Sequence, residues 1–265
     1  MLRTRLWTAA VALPLLIGIV VWAPASIFTG FIALLTILAL YEIASMAHAN
    51  GMGLAGLVLI GAAAAGAPLA GIMIYPWVIP AIAFAAMVIL TLRVGISGSE
   101  SLKPGSWLAI LGAVWVGALF PYFALLRNGL GGIPIIILML LLVVVSDSGA
   151  YFVGRAIGRH KLLVLVSPNK TIEGAIGGLA SVIAAVVILR PWLAPRWTIT
   201  AAAIIAAGIG VVAQAGDLAN SAYKRVAGVK DSGWFFPGHG GLMDRACSLV
   251  FAAVLTYYCV AWGGA

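Results

Sequence analysis

The chain has 265 residues, of which 64% are hydrophobic and 8% charged, and its net charge is +8. A water-soluble domain carries roughly one quarter charged residues, so this chain could not cover its surface in water. Its mean hydropathy of +1.17 leaves no room for a soluble domain or a long linker, and residues 1–265 read as a single membrane domain.

Apolar runs long enough to cross ~30 Å of hydrocarbon recur along the whole chain. They predict an all-α, polytopic integral membrane protein with about nine transmembrane helices, at 6–22, 26–47, 54–68, 72–92, 107–126, 131–153, 173–190, 198–218 and 243–262. In the first, Arg3 and Arg5 precede the apolar run and Ala23-Pro24-Ala25 closes it, a pattern shared with signal peptides. The next span follows at once, so a retained helical hairpin is the simpler expectation. The third run is short and rich in Ala and Gly, and Pro76 and Pro80 interrupt the fourth.

Basic residues set the orientation. With the N-terminus inside, twelve of the fifteen lysines and arginines fall on the inner side, against Arg127, Arg190 and Arg196 outside. All seven carboxylates and all three histidines then fall on or near the inner side as well, within reach of a cytosolic solute. Topology and anionic inner-leaflet lipid account for the positive charge without nucleic acid. Cys247 and Cys259 lie toward opposite ends of the last span and are too far apart to pair.

Polar chemistry concentrates in two segments, 146–174 and 216–248. The first holds Asp147, Tyr151, Gly154-Arg155, then Gly158-Arg159-His160-Lys161, then Ser167-Pro168-Asn169-Lys170-Thr171 and Glu173-Gly174. Asp147 lies inside the inner end of its span, where a carboxylate is costly and should face a wet cavity or a partner. The plain structural alternative is an ion pair with Arg155 or Lys170. The second segment begins with Asp217, Asn220, Ser221 and Lys224, which share one helical face. It continues through Lys230-Asp231-Ser232-Gly233, Pro237-Gly238-His239-Gly240-Gly241 and Asp244-Arg245. Glycines admit close approach of backbone N–H groups to an anion. Carboxylates for a hard cation beside basic groups for phosphates suit phosphoryl or nucleotidyl transfer.

These residues resemble the signature of the phosphatidate cytidylyltransferases, the CDP-diacylglycerol synthases. The resemblance rests on Ser221 to Arg225, Lys230 to Gly233, Pro237 to Gly241 and Asp244-Arg245, with Asp147 to Gly174 similar to the family's other polar motif. It implies that phosphatidic acid and CTP are the substrates, Mg2+ the cofactor, a homodimer the assembly, and the inner (plasma) membrane the location, with the active site toward the cytoplasm. It also implies catalytic roles for Asp217, Asp244, Lys224, Arg225, Asp231 and His239. Substrate phosphates would meet Ser167, Lys170, Thr171, Gly238, Gly240, Gly241 and Arg245, and Asp147, Asp217 and Asp244 would ligate the metal.

Two positions depart from the pattern. The family usually has Glu where Asn220 stands and Asp where Cys247 stands, each three residues after a retained aspartate. A thiol is a poor Mg2+ ligand. The alternatives are a related transferase acting on another lipid phosphate, a catalytically impaired paralogue, or a transporter. Against the last, the outer half of the membrane has almost no ionisable residues, and no inverted repeat is evident.

Overall fold

The computed structural model describes residues 14–46, 56, 58–63, 77–103, 105–129, 132–233, 235 and 240–263. The long helices are α1 (Ala25–Met46), α2 (Val78–Ser97), α3 (Ser106–Leu119), α4 (Pro121–Asn128), α5 (Gly132–Ile157), α6 (Ile172–Leu193), α7 (Ile199–Val226) and α8 (Met243–Gly263). Residues 14–22 and 58–63 are helical as well. α3 and α4 make one span, broken at Phe120 because Pro121 takes the first position of α4, where its missing N–H is not needed. Seven spans among the described residues are therefore long and apolar enough to cross a membrane, and the protein is a multi-pass membrane protein. The two further expected spans, 6–22 and 54–68, lie partly outside the described residues. The fourth expected span, 72–92, is described as a long helix only from Val78, and it runs on to Ser97.

The span α3–α4 is the central one, with 78% of it buried, whereas α6 at 28% forms part of the rim. Trp115, Tyr122 and Tyr223 are fully buried, and each polar ring bridges helices. Trp115 stacks on Phe251 of α8 at 5.9 Å. The Tyr223 hydroxyl of α7 donates to the Leu108 carbonyl of α3 at 2.9 Å, and the Tyr122 and Tyr258 hydroxyls join α4 to α8 at 2.5 Å. Outward faces stay apolar, as at Ile89, Val144, Ile176 and Ile204, because lipid offers no partner to a polar group.

Small residues let the C-terminal helices approach closely. A methyl on Gly177 of α6 would meet Val153 of α5 at 2.5 Å. One on Gly216 of α7 would lie 2.4 Å from Phe251 and 2.6 Å from the Cys247 carbonyl of α8. Between α5 and α6 the chain forms an antiparallel hairpin that the sequence reading did not foresee, β1 (Lys161–Leu163) and β2 (Ser167–Thr171). Thr171 ends β2 and caps α6 by accepting from the Gly174 amide at 3.1 Å. At the opposite end, Arg127 donates to the Val20 carbonyl at 3.1 Å and to that of Ala23, closing the helix 14–22. Arg190 likewise binds the Trp197 carbonyl.

Gly216→Ala should force α7 and α8 apart at the level of Asp217. Overpacking of this kind costs about 1–3 kcal/mol, so thermal unfolding in detergent should show a lowered Tm. An unchanged Tm would mean that the two helices have slack there.

Candidate active site

Four helix ends and the hairpin enclose a cavity of about 630 Å³. α5 contributes Asp147, Tyr151 and Arg155, which recur at intervals of four residues and so line one face. β2 contributes Lys170 and Thr171, α7 contributes Gln214 and Asp217, and α8 contributes Asp244, Arg245 and Ser248. Segments nearly a hundred residues apart in sequence thus bring three aspartates to one cavity.

Two of those aspartates hold lysines. Lys170 Nζ lies 2.5 Å from Asp217 Oδ2, with the side chains 29% and 40% exposed. Lys224 Nζ lies 2.5 Å from Asp244 Oδ1, with the side chains only 15% and 10% exposed. Asp244 is held from several other directions. Its Oδ1 accepts from Asn220 Nδ2 at 3.3 Å. Its Oδ2 accepts from the amide of Ser232 at 2.9 Å, the Ser232 hydroxyl at 3.1 Å and the amide of Gly241 at 3.1 Å. The ion pair suggested for Asp147 is replaced by other contacts: Lys170 goes to Asp217, and Arg155 donates to the Tyr151 hydroxyl at 2.9 Å.

Not every expected site residue reaches the cavity wall. Arg225 turns to the hairpin, where its Nε donates to the Val166 carbonyl at 3.4 Å. Ser167 and Asp231 are not among the lining residues. Gly240 adopts a left-handed φ of 83°, a conformation that glycine takes without strain, and a methyl there would meet Asp244 Oδ2 at 2.7 Å. The Gly241 amide, expected at a phosphate, serves Asp244 instead. Gly238 and His239 lie outside the described residues.

Asn220 and Cys247 each sit beside the aspartate of the facing helix. Asn220 of α7 donates to Asp244 of α8, and Cys247 of α8 approaches Asp217 of α7, with Sγ to Oδ1 at 4.0 Å. Both are buried. The Asn220 Oδ1 is buried without a partner among the described residues. Among those residues no three His, Cys, Asp or Glu side chains converge on one point. Gln214, which the sequence reading passed over, braces α7 against α6 by donating to the Ala175 carbonyl at 3.1 Å.

The family model of the cytidylyltransferase family matches residues 3–262. The chain belongs to that family. It is 38% identical over 146 residues to the phosphatidate cytidylyltransferase of Staphylococcus haemolyticus (strain JCSC1435), a match covering 55% of each chain. It is 36% identical over 181 residues to that of Bacillus subtilis (strain 168), covering 67% of this chain and 66% of the relative. With that of Synechocystis sp. (strain ATCC 27184 / PCC 6803 / Kazusa) the identity is 44% over 131 residues, covering 49% of this chain and 44% of the relative. The chain spans about half the length of the staphylococcal relatives, 55% in each case.

Burial separates the two lysines. Removing Lys224 strands a nearly buried carboxylate, a class of change that costs about 3–5 kcal/mol, whereas the more open Lys170 pair is worth about 1 kcal/mol or less. Lys224→Met should therefore lower the Tm in detergent clearly more than Lys170→Met. The reverse order would show that the hairpin, and not the α7–α8 contact, carries the stability of the site.

Proposed function

We propose that the protein transfers a cytidylyl group from CTP to phosphatidic acid. A phosphate oxygen of phosphatidic acid attacks the α-phosphorus of CTP and forms the new P–O bond. The bond from that phosphorus to the bridging oxygen of the β-phosphate breaks, pyrophosphate leaves, and CDP-diacylglycerol forms. The observation that carries this reading is the single cavity in which Asp147, Asp217 and Asp244 face Lys170 and Arg245. A triphosphate and a phosphomonoester repel each other, and a site for both needs cationic side chains at fixed places. The relatives named phosphatidate cytidylyltransferase support the choice of substrates.

Mg2+ fits the donor set. It is commonly held by one or two carboxylates together with substrate phosphates, so the lack of a three-residue cluster among the described residues does not count against it. Asp217 and Asp244, with Asp147 beside them, would hold the ion, and the partnerless Asn220 Oδ1 adds a carbonyl oxygen near Asp244. When bound, Mg2+ would supply Lewis-acid polarisation of phosphoryl oxygens and offset the charge of pyrophosphate. In this reading Lys170 passes part of its charge from Asp217 to phosphate when substrate arrives, Lys224, which does not line the cavity, stays with Asp244 as a fixed counter-charge, and Arg245 meets the phosphate of one of the two substrates. The cavity opens toward the cytoplasm of the inner (plasma) membrane, an orientation supported by the excess of basic residues on the inner side.

Asp217→Asn and Asp244→Asn should each lower CTP-dependent turnover by about 100-fold or more in protein that remains folded in detergent. Near-wild-type turnover in either would remove that aspartate from the chemistry.

The departures at Asn220 and Cys247 lead to a separate expectation. Asn220→Glu with Cys247→Asp would bury two further carboxylates against Asp244 and Asp217. Without a cation each costs several kcal/mol, on the order of 3, so the Tm should fall in EDTA and recover with Mg2+. Wild-type turnover should be present with Mg2+ and change only modestly in the double variant. An inactive wild type strongly rescued by the two changes would instead place this chain among impaired relatives.

A further inference from the structure

We propose that Glu42 is a positioning residue: its carboxylate fixes the start of α8 and Ser232, and through them the direction in which Asp244 faces. What Asp244 then does rests on the reading above; the geometry does not.

Glu42 sits in the apolar helix α1 and is only 6% exposed. Its Oε1 accepts from the Leu242 amide at 2.6 Å, and its Oε2 accepts from the Met243 amide at 2.9 Å and the Ser232 hydroxyl at 2.9 Å. Met243 opens α8. The first N–H groups of a helix lack partners within it and form its positive end. A cap normally comes from the residue just before the helix, but that residue is Leu242, which has no polar side chain. Asp244, in the first turn, faces back to the loop instead. The cap is supplied from α1, 200 residues away in sequence.

The glycines of the loop make room for this carboxylate. A methyl on Gly233 would lie 2.8 Å from Glu42 Oε1, and one on Gly241 would lie 2.5 Å from Oε2. A side chain at either position would press on Glu42, and at Gly241 first on the Ser232 hydroxyl. Ser232 is the link between the two carboxylates. Its hydroxyl stands 2.9 Å from Glu42 and 3.1 Å from Asp244 Oδ2, and one proton can serve only one of them fully. Drawn to Glu42, it leaves Asp244 Oδ2 to the Ser232 and Gly241 amides, which come from the loop that Glu42 holds.

Among the described residues no cation stands within ion-pair distance of Glu42. A buried carboxylate without one is costly, and filling space would need only an apolar residue. Glutamine keeps the size of the side chain but not the pattern of bonds. Either amide orientation turns an NH2 group toward the Leu242 or the Met243 N–H.

The test compares Glu42→Gln, Ser232→Ala and the double variant with wild type. Glu42→Gln should lower kcat per folded molecule by about 10- to 100-fold, the scale of a small misplacement of reacting groups, and leave the KM for phosphatidic acid unchanged. The double variant should fall no further than its worse parent, since groups acting through one link are non-additive. Hydrogen exchange at residues 240–244 should be faster in Glu42→Gln, a readout that needs no activity. Wild-type kcat in Glu42→Gln, a loss matched by loss of folded protein, multiplicative losses in the double variant, or unchanged exchange would each overturn the proposal. An inactive wild type with accelerated exchange in Glu42→Gln would instead sink the cytidylyl-transfer reading and leave the geometric role of Glu42 standing.

Discussion

A charge at the end of an apolar helix bundle needs a partner, and at Asp244 that need organises the whole site. Lys224 and Asn220 reach it from α7, and Ser232 and Gly241 reach it from the intervening loop. The Lys224 and Asn220 donors can reach Asp244 only if α7 and α8 lie close together. Gly216 permits that approach, since any side chain there would collide with Phe251 and the Cys247 carbonyl. The described residues flanking the loop answer the same demand. The amides of Ser232 and Gly241 point at Asp244, and Gly240 takes a left-handed turn beside it.

The second aspartate is held differently. Asp217 and Lys170 meet across the gap between α7 and the hairpin and remain partly exposed. An open pair can trade its partner for a substrate phosphate at little cost, whereas the Lys224–Asp244 pair is largely shielded from water. On the proposed function, the shielded pair stays fixed and the open one exchanges. The hairpin brings Lys170 to this place, and Thr171 anchors the hairpin to α6 by capping it. The α5–α6 contact, close-packed at Gly177 against Val153, supports Asp147 from the other side.

Much of this was legible in the sequence. Long apolar runs bounded six of the seven described spans to within a few residues, apart from the polar inner ends of α5 and α7, which extend further than hydropathy alone suggests. The aspartates and lysines stood out because charge is rare in such a chain. Which lysine meets which aspartate was not legible, since it depends on how a short hairpin folds back across α7. The hairpin itself was hidden because Val164, Leu165 and Pro168 carry no strand alternation. Glu42 was noticed only as one of the inner-side carboxylates. Its partners are two backbone amides and a serine far along the chain, and backbone donors leave no trace in sequence. The same holds for Gly241, expected at a phosphate: its amide donates to Asp244, a partner that the sequence does not show.

The most direct test of cytidylyl transfer follows the label of CTP. The purified protein would be placed in vesicles containing phosphatidic acid and Mg2+ and given CTP labelled either at the α- or at the γ-phosphate. The α-label should enter the lipid as CDP-diacylglycerol, and the γ-label should leave as pyrophosphate in equal amount. Label from the γ-phosphate on the lipid, or no label on the lipid from either position, would contradict it.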